Sequence, residues 1–127
     1  MIIVYTYVCG DIVHRGHLQY LKNAKALGDK LVVGVLTDEA VMEKKPKPTI
    51  SFQERFDLID AIKFVDLAIA QATYSPEHNI DIIRPDVLVE SDSHKKPCSN
   101  PFGRTVVLPY FPGLSSTKIK EKIRGKS

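Results

Sequence analysis

The chain has 127 residues, of which 43% are hydrophobic and 26% charged, with 18 lysines and arginines against 15 aspartates and glutamates. We predict a single domain over residues 1–127, because this length suits one domain of ordinary size. The apolar fraction excludes wholesale disorder, and no stretch reaches the roughly 20 apolar residues of a membrane span. A net charge of +3 is too small for a protein that coats nucleic acid. We therefore expect neither a nucleic acid nor a membrane as partner.

The cysteine content indicates the cellular setting. The two cysteines, Cys9 and Cys98, do not form a disulfide framework. The N-terminal residues show neither a basic region nor a cleavage site of a secretory signal. We expect a reduced, cytoplasmic protein.

Strands and helices are predicted to alternate along the chain. Apolar runs without helical periodicity predict five buried strands: Ile2–Val8, Leu31–Leu36, Val65–Ala70, Val87–Val89 and Thr105–Leu108. Apolar residues at helical spacing, together with cap and stop signals, predict four helices: Leu18–Leu27, Phe52–Ile62, Ser75–Arg84 and Ser115–Ile123. A polar helix candidate that starts at Thr37 runs into a basic, proline-containing loop, Lys44–Pro48.

This order of elements predicts the fold. Strands that alternate with helices form parallel βαβ units, and these build an open sheet covered on both faces. We predict an α/β, doubly wound, Rossmann-like domain with a five-stranded parallel sheet and helices on both faces. In such sheets ligands bind beyond the carboxyl ends of the strands, where the strand order reverses.

The strongest chemical signal is His14-Arg15-Gly16-His17, between the first strand and the first helix. This spacing predicts two imidazoles at a helix N-terminus, where free backbone N–H groups and the helix dipole attract anions. Gly16 would let a phosphate approach the backbone closely. Taken alone, the two histidines could also be surface residues or a metal-binding pair. Their position after the first strand of a βαβ unit favours a phosphate site.

Four segments, in the correct order, resemble the HxGH nucleotidyltransferase superfamily, and in particular its small glycerol-3-phosphate cytidylyltransferases. They are Asp11–His17, Leu31–Glu39, Ser51–Arg55 and Gly113–Ile119, which is similar to the family's G-I-S-T-T-K-I. The resemblance covers nearly the whole chain. It implies that a phosphate oxygen of an acceptor attacks the α-phosphorus of a nucleoside triphosphate and that pyrophosphate leaves, without a covalent enzyme intermediate.

The resemblance also implies roles for individual residues. The catalytic residues would be His14, His17 and Lys44, and the acceptor would contact Asp92 and His94. The nucleotide would bind Cys9, Gly10, Asp11, Gly16, Lys47, Arg55, Gly113, Ser115, Ser116 and Thr117. Mg²⁺ is the expected cofactor, held mainly by the triphosphate, with Asp11 as the candidate protein ligand. A homodimer is expected as well.

From the residues alone, several of these positions have structural alternatives. Lys44 and Lys47 could belong to an ordinary solvated loop. Ser115–Thr117 could be no more than a helix cap. Asp11 could be a turn residue that binds its own backbone, and Arg55 a surface residue in an ion pair.

Three segments depart from the family pattern. Val8-Cys9-Gly10 stands where the family has G-T-F, and Ser91-Asp92-Ser93-His94 stands where it has G-D-D-W. Tyr110-Phe111-Pro112-Gly113 replaces R-T-E-G, and with the residues that follow it resembles cytidylyltransferase domains found beside phosphoenolpyruvate mutases in phosphonate biosynthesis. This second resemblance implies a small phosphorylated or phosphonylated alcohol as acceptor, with glycerol phosphate as one candidate.

We therefore interpret the chain as a cytidylyltransferase that activates such an alcohol. Two alternatives stay open. One is an adenylyltransferase of the same superfamily, with an acceptor of the flavin mononucleotide or phosphopantetheine type. The other is a non-catalytic nucleotide-binding module, which the departures would permit. The presence of His14, His17 and Lys44 together favours an enzyme.

Overall fold

The computed structural model describes residues 1–11, 13–94 and 97–109. Within these ranges the strands are β1 (Ile3–Val8), β2 (Lys30–Leu36), β3 (Leu67–Gln71), β4 (Val87–Ser91) and β5 (Arg104–Leu108). The helices are α1 (Arg15–Lys25), α2 (Asp38–Met42), α3 (Phe52–Asp60) and α4 (Glu77–Ile83). All five predicted strands are present. The predicted closing helix, Ser115–Ile123, lies outside the described residues.

The five strands form one parallel sheet in the order β3-β2-β1-β4-β5. The chain therefore winds outward from β1 to β3, then crosses back to place β4 on the other side of β1. The strand order reverses between β1 and β4, whose carboxyl ends are Val8 and Ser91. This is the point at which a doubly wound sheet opens a crevice for ligands.

Helices cover both faces of the sheet, as predicted. On one face, Tyr20, Leu21 and Ala24 of α1 and Ile59 of α3 join a core cluster with residues of β1, β2, β3 and β4. On the other face, Ile80 of α4 packs in a second cluster with Tyr5, Val32 and Leu88. The central strands are buried on both sides, which explains their continuous apolar runs. No helix in the described ranges is long and apolar enough to cross a membrane.

A buried polar network on the second face holds the loop that follows β3. The hydroxyl of Tyr5 donates to Gln71 Oε1 at 2.5 Å, and Asn79 Nδ2 donates to the Tyr5 hydroxyl at 2.9 Å. The amide nitrogen of Gln71 donates to the carbonyl oxygens of Thr73 and Tyr74, at 3.1 and 3.2 Å. Gly34 leaves room for this network, because a Cβ there would overlap the Tyr5 hydroxyl.

A buried guanidinium joins the loops at the carboxyl edge on the first face. Arg55 in α3 is 0% exposed. Its Nη1 donates to the carbonyl oxygens of Cys9 and Leu36, at 2.6 and 2.7 Å. Its Nε donates to the carbonyl of Ile50 at 3.1 Å, and its Nη2 forms an ion pair with Asp38 at 2.7 Å. One side chain thus connects the ends of β1 and β2 with the starts of α2 and α3.

We predict that Arg55→Lys destabilises the fold by about 3 kcal/mol or more, because a single ammonium cannot reach the acceptors that the planar guanidinium fork serves. Buried carbonyls would lose their partners. Urea unfolding followed by circular dichroism measures the change. The matched control is Arg104→Lys, since Arg104 is exposed, and its effect should stay within about 0.5 kcal/mol. Equal losses in the two variants would contradict this role of Arg55.

Candidate active site

Two histidines cap the N-terminus of α1 with their side chains. His14 is the N-cap residue, and its Nδ1 accepts the backbone N–H of Gly16 at 3.0 Å. His17, in the first turn, returns the contact, since its Nδ1 accepts the backbone N–H of His14 at 3.2 Å. This arrangement is a capping box in which imidazoles replace the usual hydroxyl and carboxylate. The predicted placement of both rings at a helix N-terminus is confirmed.

The capping contacts determine which ring nitrogen carries the proton. Because Nδ1 of each ring accepts an N–H, it must hold a lone pair, so the proton of the neutral ring is on Nε2. Burial lowers the pKa of His14, and it lowers the pKa of His17 to about 4, with the neighbouring His14 adding to the effect. Near neutral pH both rings are therefore uncharged donors through Nε2–H.

The two donors lie together at the positive end of the helix. The ring centroids are 4.2 Å apart, and His17 is only 4% exposed. His14 Nε2 is buried and has no hydrogen-bond partner among the described residues. A buried donor without a partner is costly unless a ligand satisfies it. The arrangement is suited to bind an anion.

The loop between β1 and α1 is held by specific contacts. Gly10 is buried with φ +74°, and a Cβ there would lie 3.3 Å from Ile59 Cγ1, so the turn requires glycine. Asp11 Oδ1 accepts the backbone N–H of Ile50 at 2.9 Å. Burial raises the pKa of the Cys9 thiol, which favours its unreactive form. Contacts of Cys9, Gly10 and Asp11 with a nucleotide stay predictions.

The geometry of Arg55 favours a positioning role over the direct nucleotide contact that the sequence suggested. Its guanidinium is buried and bound to backbone carbonyls and Asp38. It therefore does not project into open space beside the exposed Lys44 and Lys47. The nucleotide contact that the resemblance implies for Arg55 is not supported by this geometry, in which Nε, Nη1 and Nη2 all have protein partners.

A cavity of about 650 Å³ opens beside the carboxyl ends of β1 and β4. It is lined by Lys44 together with Tyr7, Glu43, Tyr74, Glu77 and His94, among others. Lys44 Nζ lies 5.9 Å from the centre of the Tyr74 ring. The structure thus brings together Lys44 and His94, two residues that were predicted from separate motifs. The volume of the cavity suits a small-molecule ligand.

The buried Glu90 and the half-buried Tyr7 form a hydrogen-bonded pair at this cavity that was not predicted from the sequence. Glu90 is 1% exposed, and its carboxylate accepts the Tyr7 hydroxyl at 2.9 and 3.0 Å. It also contacts His94 Nδ1 at 2.6 Å. Burial and the charge of Glu90 raise the pKa of Tyr7, so its hydroxyl remains a donor. The sequence did contain a signal for this residue, because Glu90 directly follows the apolar run Val87–Val89 and so lies at the carboxyl end of a predicted strand.

The remaining predicted residues lie in different surroundings. Asp92 is exposed, its backbone N–H donates to Leu108 O at 3.0 Å, and it is not among the described residues that line the cavity. Gly16 is buried in the first turn of α1. Gly113, Ser115, Ser116 and Thr117 lie outside the described residues.

The carboxylate of Asp11, near the start of α1, is the residue that could bind a metal ion together with substrate phosphates. The described residues contain no group of three or more histidines, cysteines, aspartates and glutamates that could hold a metal ion. Asp11 follows β1 at the same edge of the sheet as His14. Mg²⁺ is commonly bound by one or two carboxylates together with substrate phosphates. Asp11 fits that pattern, because its carboxylate has a second oxygen besides the Oδ1 that accepts the Ile50 N–H.

Comparison with known proteins agrees with this geometry. The sequence model of the family described as Cytidylyltransferase-like matches residues 7–122. A glycerol-3-phosphate cytidylyltransferase of Bacillus subtilis (strain 168) is 36% identical over 130 residues, which cover 96% of this chain and 97% of that protein. The bifunctional protein HldE of Campylobacter jejuni (strain RM1221) is 37% identical over 129 residues, 98% of this chain. The chain spans 28% of the length of that relative.

Solved structures show the same architecture. A lipopolysaccharide core biosynthesis protein from Thermoplasma volcanium GSS1 superposes with a TM-score of 0.72 at 33% identity, covering 76% of this chain and 80% of that one. A pantoate-beta-alanine ligase from Francisella tularensis, 14% identical, shares the fold with a TM-score of 0.55 and covers 98% of this chain and 72% of that one. The order of motifs, the sheet topology and the family match lead to one assignment: the chain belongs to the cytidylyltransferase-like family.

Proposed function

We propose that this protein transfers CMP from CTP to the phosphate or phosphonate of a small alcohol and releases pyrophosphate. The observation that carries the proposal is the N-terminus of α1, where the buried Nε2 of His14 has no partner among the described residues and the centre of the His17 ring lies 4.2 Å from that of His14. The relative from Bacillus subtilis, similar over nearly the full length of both chains, supports the nucleotide and the acceptor class. The homodimer and the cytoplasmic location stay predictions.

In the proposed reaction an anionic oxygen of the acceptor attacks the α-phosphorus of CTP. A new P–O bond forms, the bond to the bridging oxygen of the β-phosphate breaks, and pyrophosphate leaves with the electron pair. The attacking oxygen is already deprotonated, so no general base is needed. Such a transfer depends mainly on positioning and on stabilising charge in the transition state.

The histidine pair is suited to stabilise that charge. An Nε2–H from each ring can donate to the oxygens of the α-phosphate or to the leaving group, in a site that is already organised by the capping box. The positive end of the helix dipole adds to this attraction for an anion. Mg²⁺ would neutralise the phosphates of the leaving group when bound, with Asp11 as the candidate protein ligand.

Lys44 connects the nucleotide to the proposed acceptor site. It follows α2 at the carboxyl edge of the sheet and lines the cavity of about 650 Å³. Two anionic groups must approach each other in the reaction, and a cation beside them lowers their repulsion. We assign the acceptor to this cavity, with Lys44 beside its phosphate. Lys47 and the segment Gly113–Thr117 remain proposed contacts of CTP.

The direct test measures pyrophosphate release. The protein is incubated with Mg²⁺, each of the four nucleoside triphosphates in turn, and a panel of small phosphates and phosphonates. We expect release with CTP and a three-carbon or smaller acceptor. Release with ATP but not CTP would identify an adenylyltransferase instead. No release with any pair, together with no nucleotide-induced rise in melting temperature, would identify a non-catalytic module.

The substitution His17→Asn tests the donor role. The shorter amide keeps an acceptor for the His14 N–H but removes the Nε2–H, so turnover should fall by at least about a hundredfold while the melting temperature changes little. Steady-state kinetics with CTP measure the effect. His78→Asn is the matched control, since His78 is exposed in α4. Near-normal turnover of the His17 variant would remove this histidine from catalysis.

The lowered pKa of His17 predicts how stability depends on pH. The unfolded chain takes up a proton near pH 6.5, whereas folded His17 does so near pH 4. Stability should therefore be complete above about pH 6.5 and decline as the pH falls toward 4, by up to about 3 kcal/mol. Urea unfolding at several pH values measures the decline, and it should be smaller in His17→Asn. An equal decline in both proteins would exclude His17 as its source.

A further inference from the structure

We propose that Glu90 is a positioning residue that makes His94 a hydrogen-bond acceptor in the cavity. The cavity would then select acceptors that carry a hydrogen-bond donor, a hydroxyl or an ammonium group, near their phosphate or phosphonate. The inference rests on the proposed function, because it assigns this cavity to the acceptor. It goes beyond the proposed function by naming His94 as the residue that would distinguish one acceptor molecule from another.

The carboxylate of Glu90 is held at a fixed place. Glu90 lies in β4, one residue before its end, and its side chain is 0% exposed. It accepts the Tyr7 hydroxyl at 2.9 and 3.0 Å, and Cys98 N–H lies 3.4 Å away. A buried carboxylate needs such donors to offset its desolvation. Its contact with His94 Nδ1, at 2.6 Å, completes this set.

This contact determines the orientation of the His94 ring. An ionised Glu90 can only accept in this contact, which places the proton of the neutral His94 ring on Nδ1 and leaves a lone pair on Nε2. The ring stacks on Tyr7 with centroids 5.6 Å apart and planes 26° apart. The side chain remains 24% exposed and lines the cavity. Nε2 is therefore the ring nitrogen available to a ligand.

Two other residues in the wall of the cavity also offer hydrogen-bond acceptors. Glu43 and Glu77 line the cavity and carry carboxylates, which also accept hydrogen bonds. Among the described lining residues, Lys44 provides the positive charge of an ammonium group, which suits the anionic end of the acceptor. An acceptor with a phosphonate at one end and a donor at the other matches both parts of this wall. A purely alkyl acceptor would leave Nε2 without a partner.

The variant His94→Asn tests the selection. Its amide can still donate to Glu90 from the place of Nδ1, but it has no group at the place of Nε2. We measure kcat/KM for pyrophosphate release from CTP with three probes: 2-hydroxyethylphosphonate, 2-aminoethylphosphonate and ethylphosphonate. The unmodified protein should prefer a donor-bearing probe over ethylphosphonate by about tenfold or more, the worth of one hydrogen bond. Comparison of the first two probes tells hydroxyl from ammonium.

In His94→Asn this preference should fall to within about twofold while the KM for CTP is unchanged. The control His78→Asn should keep the full preference. A preference that survives in His94→Asn, or that is absent in the unmodified protein, would overturn the inference. Absence of turnover with every probe would instead count against the proposed function. In that case the role of Glu90 can still be tested by NMR, which does not require turnover.

Nitrogen NMR of the imidazole tests the role of Glu90 itself. At about pH 8, His94 of the unmodified protein should show a protonated Nδ1 and an unprotonated Nε2. In Glu90→Gln, which keeps the size of the side chain, the proton should shift substantially toward Nε2. A merely structural Glu90 would leave this equilibrium unchanged in the variant. That result, or a protonated Nε2 in the unmodified protein, would contradict the proposal.

Discussion

The buried guanidinium of Arg55 is the interaction on which the loop between β1 and the two histidines depends. It binds the carbonyl oxygens of Cys9 and Leu36, which lie at or just beyond the ends of β1 and β2. Without a donor these carbonyls would be buried and unpaired at the edge where the ligand must bind. Fixing Cys9 also fixes the glycine turn that leads to His14. The capping box can then form with both Nε2–H groups in place.

The cavity that we assign to the acceptor depends on a different set of buried polar groups, on the opposite face of the sheet. The Tyr5–Gln71–Asn79 network holds the loop that carries Tyr74, and Glu90 holds Tyr7 and His94. Three residues that line the cavity, Tyr7, Tyr74 and His94, are thus held by buried groups behind its wall. Side chains held in this way lose little freedom on binding, which is how a small domain can position two anionic substrates.

Much of the fold follows from the sequence because strand burial and helical spacing are local signals. The five strands and the histidines at the start of α1 were predictable from those signals alone. The burial of Arg55 was not predicted, although it follows Phe52 by three residues and precedes Ile59 by four, on the apolar face of α3. What an arginine on that face binds depends on loops distant in sequence. The Glu90–His94 contact was not predictable for a similar reason, because it forms only when the turn after β4 folds back toward the strand.

The distribution of charge is more informative than its sum. Of the cations expected around the phosphates, Arg55 is paired with Asp38 inside the protein, and the two histidines are held neutral by burial. Neutral donors can follow charge that develops in the transition state without binding the ground-state anion too tightly. Lys44 is exposed and lines the cavity that we assign to the acceptor. In the proposed reaction an excess of only three positive charges is sufficient, because the stabilisation would come from oriented N–H groups.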